Sequence, residues 1–438
     1  AMQDPKLFEN LDRVSSHYPL AMGGYLSADK RAALAARGAT RNHSLPLWAS
    51  EDWTLSVQTA DWKGALRLAE MLNRNVAQGG ITCSIIWNLL FAWNYLFGYA
   101  EGPSRGEAPV GGQGHGLFYA AEPWSGHWQL RPALFAVMHT SQFSDIGDQL
   151  PPGAMGVLPN GTGSFVTYLP RINTHTHTHT NNAYTYMSYI RIHRLFPYKL
   201  YIHMLIYAFY GSRYYKNDSA WSLVVETANA SSSSAHTAQF SLNFRTGPAN
   251  GAFMPPRQLR CWRSIEGEML AETSPVAITA HDGGSAFAVA MSLRPSAFYS
   301  CSTYKVGSMP KVQGSAAPSA AFPMKYADNF EDYQVRSMVR YLTAEGGIFE
   351  TAERPDVMRS SGKLALKQIL TKKPIPWYSD PLPFATLGDP SPSRWENYTV
   401  SASVFIPASA SAATSVPVPV VMDACNGSEV QAWTWRAV

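Results

Sequence analysis

The sequence predicts an α/β unit followed by all-β units, and three observations carry that reading. Between Val14 and Asn88, strand-like and helix-like stretches alternate, which is the signature of a parallel α/β sheet. From about Leu134 onward the pattern changes to short alternating strands separated by turns, which suits a β-sandwich. The chain is 46% hydrophobic and 12% aromatic with only 15% charged residues, so it is globular, and it is rich in Trp, Tyr, Gly and Pro. A chain of 438 residues is too long for one ordinary core, so two or three domains are expected.

In chain order, residues 6–13 read as the end of a helix, and Val14 to Pro19 as a short strand entering a loop. Residues 27–37 carry Ala and Leu at helical spacing. Leu45 to Ser50 is the next strand. Trp62 to Val76 is a helix whose apolar face is Ala65, Leu66, Leu68, Ala69 and Leu72. Ile81 to Asn88 is a buried strand. The Gly-rich stretch 102–116 lacks the strand and helix needed to cradle a phosphate, and reads as a loop. Strands are then expected at Ser164 to Leu169, Trp221 to Glu226, Ala238 to Phe244 and Phe287 to Leu293. A linker rich in Ser, Ala and Pro spans 308–323. A second β-rich block follows, with strand-like sequence at Gly347 to Glu350, Leu364 to Leu370 and Tyr398 to Ile406.

A net charge of +4 without a Lys/Arg block excludes a nucleic-acid footprint. Cys83, Cys261, Cys301 and Cys425 form no CxxC pair, so no zinc site is expected; whether Cys261 and Cys301 pair is left open by spacing alone. Sequons at Asn42, Asn160, Asn217, Asn229, Asn397 and Asn426 fit a secretory route. The N-terminus has no signal-peptide pattern, and both ends read as cut.

The stretch Leu47 to Asp52 holds the strongest candidate chemistry. An apolar run meets two adjacent carboxylates, as at the mouth of an α/β barrel. Glu51 there is a candidate nucleophile or general base for sugar chemistry, against the plain alternative of an acidic helix N-cap. His17 at a strand end is either structural or a substrate contact. Trp124 and Trp128, flanking a Gly turn, are either a sugar-stacking platform or core. Residues 173–216 stand apart. Their Thr-His alternation at 174–180 would put the His side chains on one face of a strand, as in a metal-binding tract, but it is also what a dinucleotide repeat encodes. The segment interrupts a β pattern and reads as translated non-coding sequence, a retained intron, expected to form a poorly packed insertion.

Several stretches together resemble glycoside hydrolase family 59, the galactosylceramidases. They are Ser16-His17-Tyr18-Pro19, Leu47 to Asp52, Met71 to Asn75, Thr82 to Leu89, Glu122 to His127, His139 to Phe143 and Trp221 to Thr227. The colinear likeness continues through Lys325-Tyr326, Phe330 to Tyr333, Gly347 to Glu350, Gln368 to Leu370 with Pro374-Ile375 and Trp377, and Gly388-Asp389. It implies a fold of α/β plus all-β: the last three strands of a TIM barrel over residues 1–133, a β-sandwich over 134–307 interrupted by 173–216, the linker 308–323, and an incomplete lectin-like jelly roll over 324–438. It implies a retaining glycosidase that releases galactose from galactosylceramide-type glycosphingolipids, with Glu51 as nucleophile at the end of the seventh barrel strand. Trp124 would be a galactose-contacting wall, and His17, Trp87 and Asn88 further substrate-binding residues.

No metal or organic cofactor is implied. The implied partners are the glycosphingolipid and a saposin-type lipid-presenting protein, with peripheral lipid contact at most, in the lysosome or secretory pathway. The chain also departs from the family. The acid/base Glu, which follows an Asn on the fourth strand, belongs ahead of His17 and is missing with the early strands. Ala230 to His236 holds no Arg where the family places a galactose-binding one. The chain alone is therefore expected to be unstable and inactive, and the competing reading is a non-enzymatic carbohydrate-binding fragment.

Overall fold

The structure is a computed structural model of the chain. It describes residues 11, 13–17, 46–52, 61–86, 89–91, 116–120, 122–144, 148, 150, 155–168, 221–230, 236–243, 257–281, 286–303, 316–323, 325–345, 348–354, 362–370, 384–388, 402, 420–423 and 430–433. The expected helix at 27–37, the Gly-rich stretch up to residue 115, the segment 173–216, Trp377 and most of 398–406 lie outside the described residues. So do most of residues 6–13, although Leu11 and Arg13, where a helix end was expected, are irregular.

Two compact units divide the chain. One comprises 1–92, 112–120 and 128–316; the other comprises 93–111, 121–127 and 317–438.

The first unit begins with a three-stranded parallel sheet in the order β1 (Val14–His17), β2 (Leu47–Asp52), β3 (Ile81–Ile86). Helix α1 (Trp62–Ala77) makes the crossover from β2 to β3. It starts where Asp61 places its Oδ1 to accept the Gly64 N–H at 2.7 Å, an N-cap that satisfies one of the helix's open donors. Its apolar face is the one periodicity predicts: Trp62, Ala65, Leu66, Leu68, Ala69 and Met71 are buried in one cluster with Phe118, Leu134 and Phe298. Trp62 stacks on Phe298 with centroids 4.8 Å apart. Gly80, at φ 59°, takes the left-handed turn that feeds β3. Short strands β4 (Leu90–Phe91), β5 (Phe118–Tyr119) and β6 (Gln129–Leu130) form a small mixed sheet.

One expectation is overturned here. Strands do not begin at Leu134, because Pro132–Ser141 is helix α2. Proline at the first helical turn, followed by Ala, Leu and Met, starts a helix at no hydrogen-bond cost. The helix is apolar on too many sides to show a clean amphipathic stripe, and it buries Ala133, Leu134, Ala136 and His139.

The β region that follows contains β7 (Met155–Val157), β8 (Ser164–Tyr168), β9 (Ser222–Glu226), β10 (His236–Asn243), β11 (Gln258–Ile265), β12 (Glu268–Glu272), β13 (Val276–His281), β14 (Ala286–Leu293) and β15 (Phe298–Ser302). Instead of two separate sheets, hydrogen bonds link all nine strands into one sheet, in the order β10-β14-β13-β11-β15-β9-β8-β7 with β12 also on β11. The chain turns at Gly267 and runs back along β11 first as β12 and then, past Thr273 to Pro275, as β13. That interruption lets β13 and β14 leave the plane of the rest, the way a strand changes layers in a sandwich. Val289, Met291 and Leu293 of β14 thereby share one core with Leu223 and Val225 of β9, Leu259 of β11 and Tyr299 of β15. The Cys261–Cys301 disulfide joins directly paired positions of β11 and β15, which resolves the pairing left open above.

In the second unit the described strands form three separate antiparallel ribbons. They are β16 (Leu342–Glu345) with β19 (Phe384–Leu387), β17 (Phe349–Glu353) with β18 (Leu364–Gln368), and β20 (Val420–Asp423) with β21 (Val430–Trp433). This is the β-rich block expected, and these ribbons alone do not make a jelly roll. Residues 316–323 are irregular, as their Ser, Ala and Pro content predicts.

Candidate active site

Glu51 and Asp52 are both in β2, so the helix N-cap alternative fails. Their placement turns on one extra residue. Against β1 the register runs Ser16↔Ala49 and then His17↔Glu51, passing over Ser50. Against β3 it runs Ala49↔Ser84 and then Asp52↔Ile86, two residues of β2 facing one of β3. Both neighbours therefore see a β-bulge at Ser50-Glu51, a device that re-aims side chains.

The consequence follows from strand alternation. Leu47 and Ala49 point into a buried cluster with Ile81 and Val14. A plain strand would send residue 51 the same way. The bulge gives that place to Asp52, which is 0% exposed, and leaves Glu51 half-buried on the other side of the strand.

Asp52 is received by α1. The Asn75 Nδ2 donates one N–H to Asp52 Oδ2 and the other to Ser84 Oγ, the latter at 2.9 Å. One buried amide on the helix thus ties the end of β2 to β3. Two residues earlier on the helix, Asn73 is also buried and donates to the Ser164 carbonyl at 3.3 Å. Near the start of β1, the Arg13 guanidinium lies 4.3 Å from the centre of the Trp48 ring. Burial pushes the Cys83 thiol up in pKa, with Arg13 pulling the other way.

Among the sequence-predicted residues, the structure brings Glu51 and His17 to paired positions at the same end of the parallel sheet. The His17 side chain, Trp87 and Asn88 lie outside the described residues. Trp124 is in the second unit. There it is 7% exposed; its indole N–H donates to the Ala320 carbonyl at 2.7 Å, and its ring packs on Phe322 and Tyr341. In the same unit His127 Nδ1 meets the Ala317 carbonyl at 2.8 Å, and Ser319 Oγ donates to Glu122. The sequence reading missed Asp52, Asn75 and Ser84. The available signal was polar: two asparagines on the otherwise apolar side of α1. Among the described residues no group of three or more His, Cys, Asp or Glu gathers as a metal site.

What this arrangement can do is limited and specific. A half-exposed carboxylate at the C-terminal end of a parallel strand can act as nucleophile or base. Asp52 cannot serve as its catalytic partner, since it is buried toward the helix with its carboxylate on the Asn75 amide.

Residues 1–142, which include Glu51, Asp52, Asn75 and Ser84, match the sequence model of glycosyl hydrolase family 59. Galactocerebrosidase from Canis lupus familiaris is 24% identical over 413 residues, 92% of this chain and 49% of the relative. The Danio rerio galactocerebrosidase is 26% identical over 417 residues, 92% of this chain and 50% of the relative. The chain is galactocerebrosidase-like. It spans about half the length of the curated relatives it matches. Among solved structures, a GH30 endoxylanase from Clostridium papyrosolvens superposes with a TM-score of 0.36 at 10% identity, covering 69% of this chain and 51% of that one. No helix among the described residues is long and apolar enough to cross a membrane.

Proposed function

We propose that this chain is part of a retaining glycosidase that releases galactose from galactosylceramide-type glycosphingolipids, with Glu51 as the nucleophile. The observation that carries the reading is the half-exposed Glu51 at the end of β2, inside the stretch similar to family 59. The ionised Glu51 attacks the anomeric carbon and the aglycone leaves with its oxygen, forming a covalent galactosyl-enzyme. Water then attacks the same carbon and frees both Glu51 and galactose. A second carboxyl group, about 5–5.5 Å from the first in retaining enzymes, protonates the leaving oxygen and later activates the water. That general acid help is worth roughly 100- to 10,000-fold. No residue of this chain is assigned the role, so turnover of a glycolipid by this stretch alone is expected to be negligible. Residence in the lysosome or secretory pathway and delivery of the lipid by a saposin-type protein belong to the same proposal. Trp124, His17, Trp87 and Asn88 remain its proposed galactose contacts.

A substrate with a very good leaving group does not need the acid. The test is a 2-deoxy-2-fluorogalactoside of dinitrophenol, followed by peptide mapping. The expected result is a single fluorogalactosyl adduct on Glu51, absent from Glu51→Gln. An adduct on another carboxylate, or labelling that survives Glu51→Gln, overturns the assignment.

A further inference from the structure

Asp52 and Asn75 have no place in the double displacement, yet they occupy the best-buried polar position beside it. A buried carboxylate is costly unless it is hydrogen-bonded, and a bulge is costly because it breaks ladder bonds. Both features sit at one point, and each accounts for the other. Asn75 offers two N–H groups from α1 on the buried side of β2, and Ser84 takes one of them. The remaining N–H requires an acceptor, and on a plain strand the residue facing it would be Glu51. The bulge brings Asp52 there instead. We propose that Asn75 is a positioning residue: by capturing Asp52 it holds the bulge and so keeps Glu51 on the open side of β2. Asn75 touches no substrate and acts through Asp52. The inference deepens the nucleophile assignment above and rests on it for its catalytic meaning, although its geometric content is separate.

Two readouts on the whole chain separate these claims. Carbodiimide coupling of glycinamide to carboxylates, read by tandem mass spectrometry, reports which of the two adjacent acids meets solvent. Trapping with the fluorogalactoside reports whether Glu51 is aimed for attack. The wild type is expected to couple at Glu51 and not at Asp52. In Asn75→Asp a second carboxylate faces Asp52, and like charges in contact repel. Coupling should then move onto Asp52, and trapping at neutral pH should slow on the order of 100-fold, the cost of a misplacement of about 1 Å.

Below about pH 5 the two acids of the variant can share a proton, a condition that suits adjacent carboxyl pairs. Glu51 coupling and trapping should both recover there in Asn75→Asp, a pH profile that mere loss of packing does not produce. Asp52→Asn, whose amide oxygen still accepts from Asn75, should keep the wild-type pattern. If Asn75→Asp fails to fold, Asn75→Ala removes the donor without adding charge, and the same shift of coupling is expected. Coupling that stays on Glu51 in the Asn75 variants overturns the positioning role, whatever the wild type traps. A shift of coupling with no trapping by the wild type upholds the positioning role and removes the nucleophile assignment.

Discussion

Two buried titratable residues of the first unit pull stability in opposite directions with pH. Glu226 is 0% exposed; Ser164 Oγ donates to one of its oxygens at 2.6 Å and the Ala228 N–H to the other at 2.7 Å. Burial still outweighs those bonds, and with Glu70 nearby raising the value and Arg74 lowering it, the carboxyl is pushed up to about 7 from 4.5. His139 is buried between Ser300 and Ser264, each hydroxyl 2.8 Å from a ring nitrogen, and burial lowers it from 6.5 to about 3. Ser300 donates to the His139 carbonyl at 2.6 Å, so it accepts from the ring, and a neutral imidazole satisfies both hydroxyls.

The folded Glu226 binds its proton more tightly than the unfolded one, so its contribution is complete below pH 4.5 and is lost as pH rises to about 7. The folded His139 binds its proton less tightly, so its contribution is complete above pH 6.5 and is lost as pH falls toward about 3. Together they predict a plateau between about pH 4.5 and 6.5 with decline on either side. Relative to wild type, Glu226→Gln should gain about 3 kcal/mol between pH 4.5 and 7, as measured by denaturant unfolding across pH. A pH-independent difference would remove this account. None of this was legible from the sequence, where Glu226 and His139 are ordinary polar residues in apolar runs. The place of Glu51 at a strand end was legible because an apolar strand ending in a carboxylate is a local pattern. Asp52 was not, because a bulge leaves no trace in local hydrophobicity.

Among the elements, the long periodic ones were read correctly as to type, but β3, expected to be buried, buries only Ile81 and leaves Ile85 47% exposed. The other exceptions have physical causes. α1 shows one apolar stripe and a cap, and β2, β3, β8 and β9 are short apolar runs bounded by polar residues. α2 was missed because both its faces are apolar, so its period is hidden. The single bent sheet was also missed, since the partner exchange at Thr273 to Pro275 depends on which edge β12 and β13 share. The disulfide pins β11 to β15 where that exchange begins, and it closes a separation of 40 residues. Loop entropy alone gives such a link about 4 kcal/mol. Cys261→Ala/Cys301→Ala should lower the thermal midpoint by several degrees, and a reductant should do the same to the wild type only. Calorimetry with and without reductant checks both, and a reductant effect that persists in the double variant would assign it elsewhere.

For the molecule as a whole, the order of an α/β part followed by β-rich parts was legible from composition and period. The way the chain divides was not. Glu122 to His127 lies far from residue 317 in sequence, yet it belongs to the same unit as the C-terminal block and bonds to Ala317, Ser319 and Ala320. Short-range patterns hold no record of such returns. The choice of which carboxylate meets solvent, by contrast, depends on the parity of one strand. Deleting Ser50 removes no charge, no apolar contact of the buried cluster and no proposed catalytic group. It leaves Ala49, Glu51 and Asp52 consecutive, so plain alternation alone should keep Glu51 on the open side and Asp52 toward the helix, with no bulge needed. Glycinamide coupling that stays on Glu51 in that deletion is the expected sign, and coupling that moves to Asp52 would show that parity does not set the choice. A gene for such a strand can thus lose the three nucleotides of Ser50 and keep the same carboxylate facing solvent, although an alignment of residue types alone would score a gap beside the proposed nucleophile.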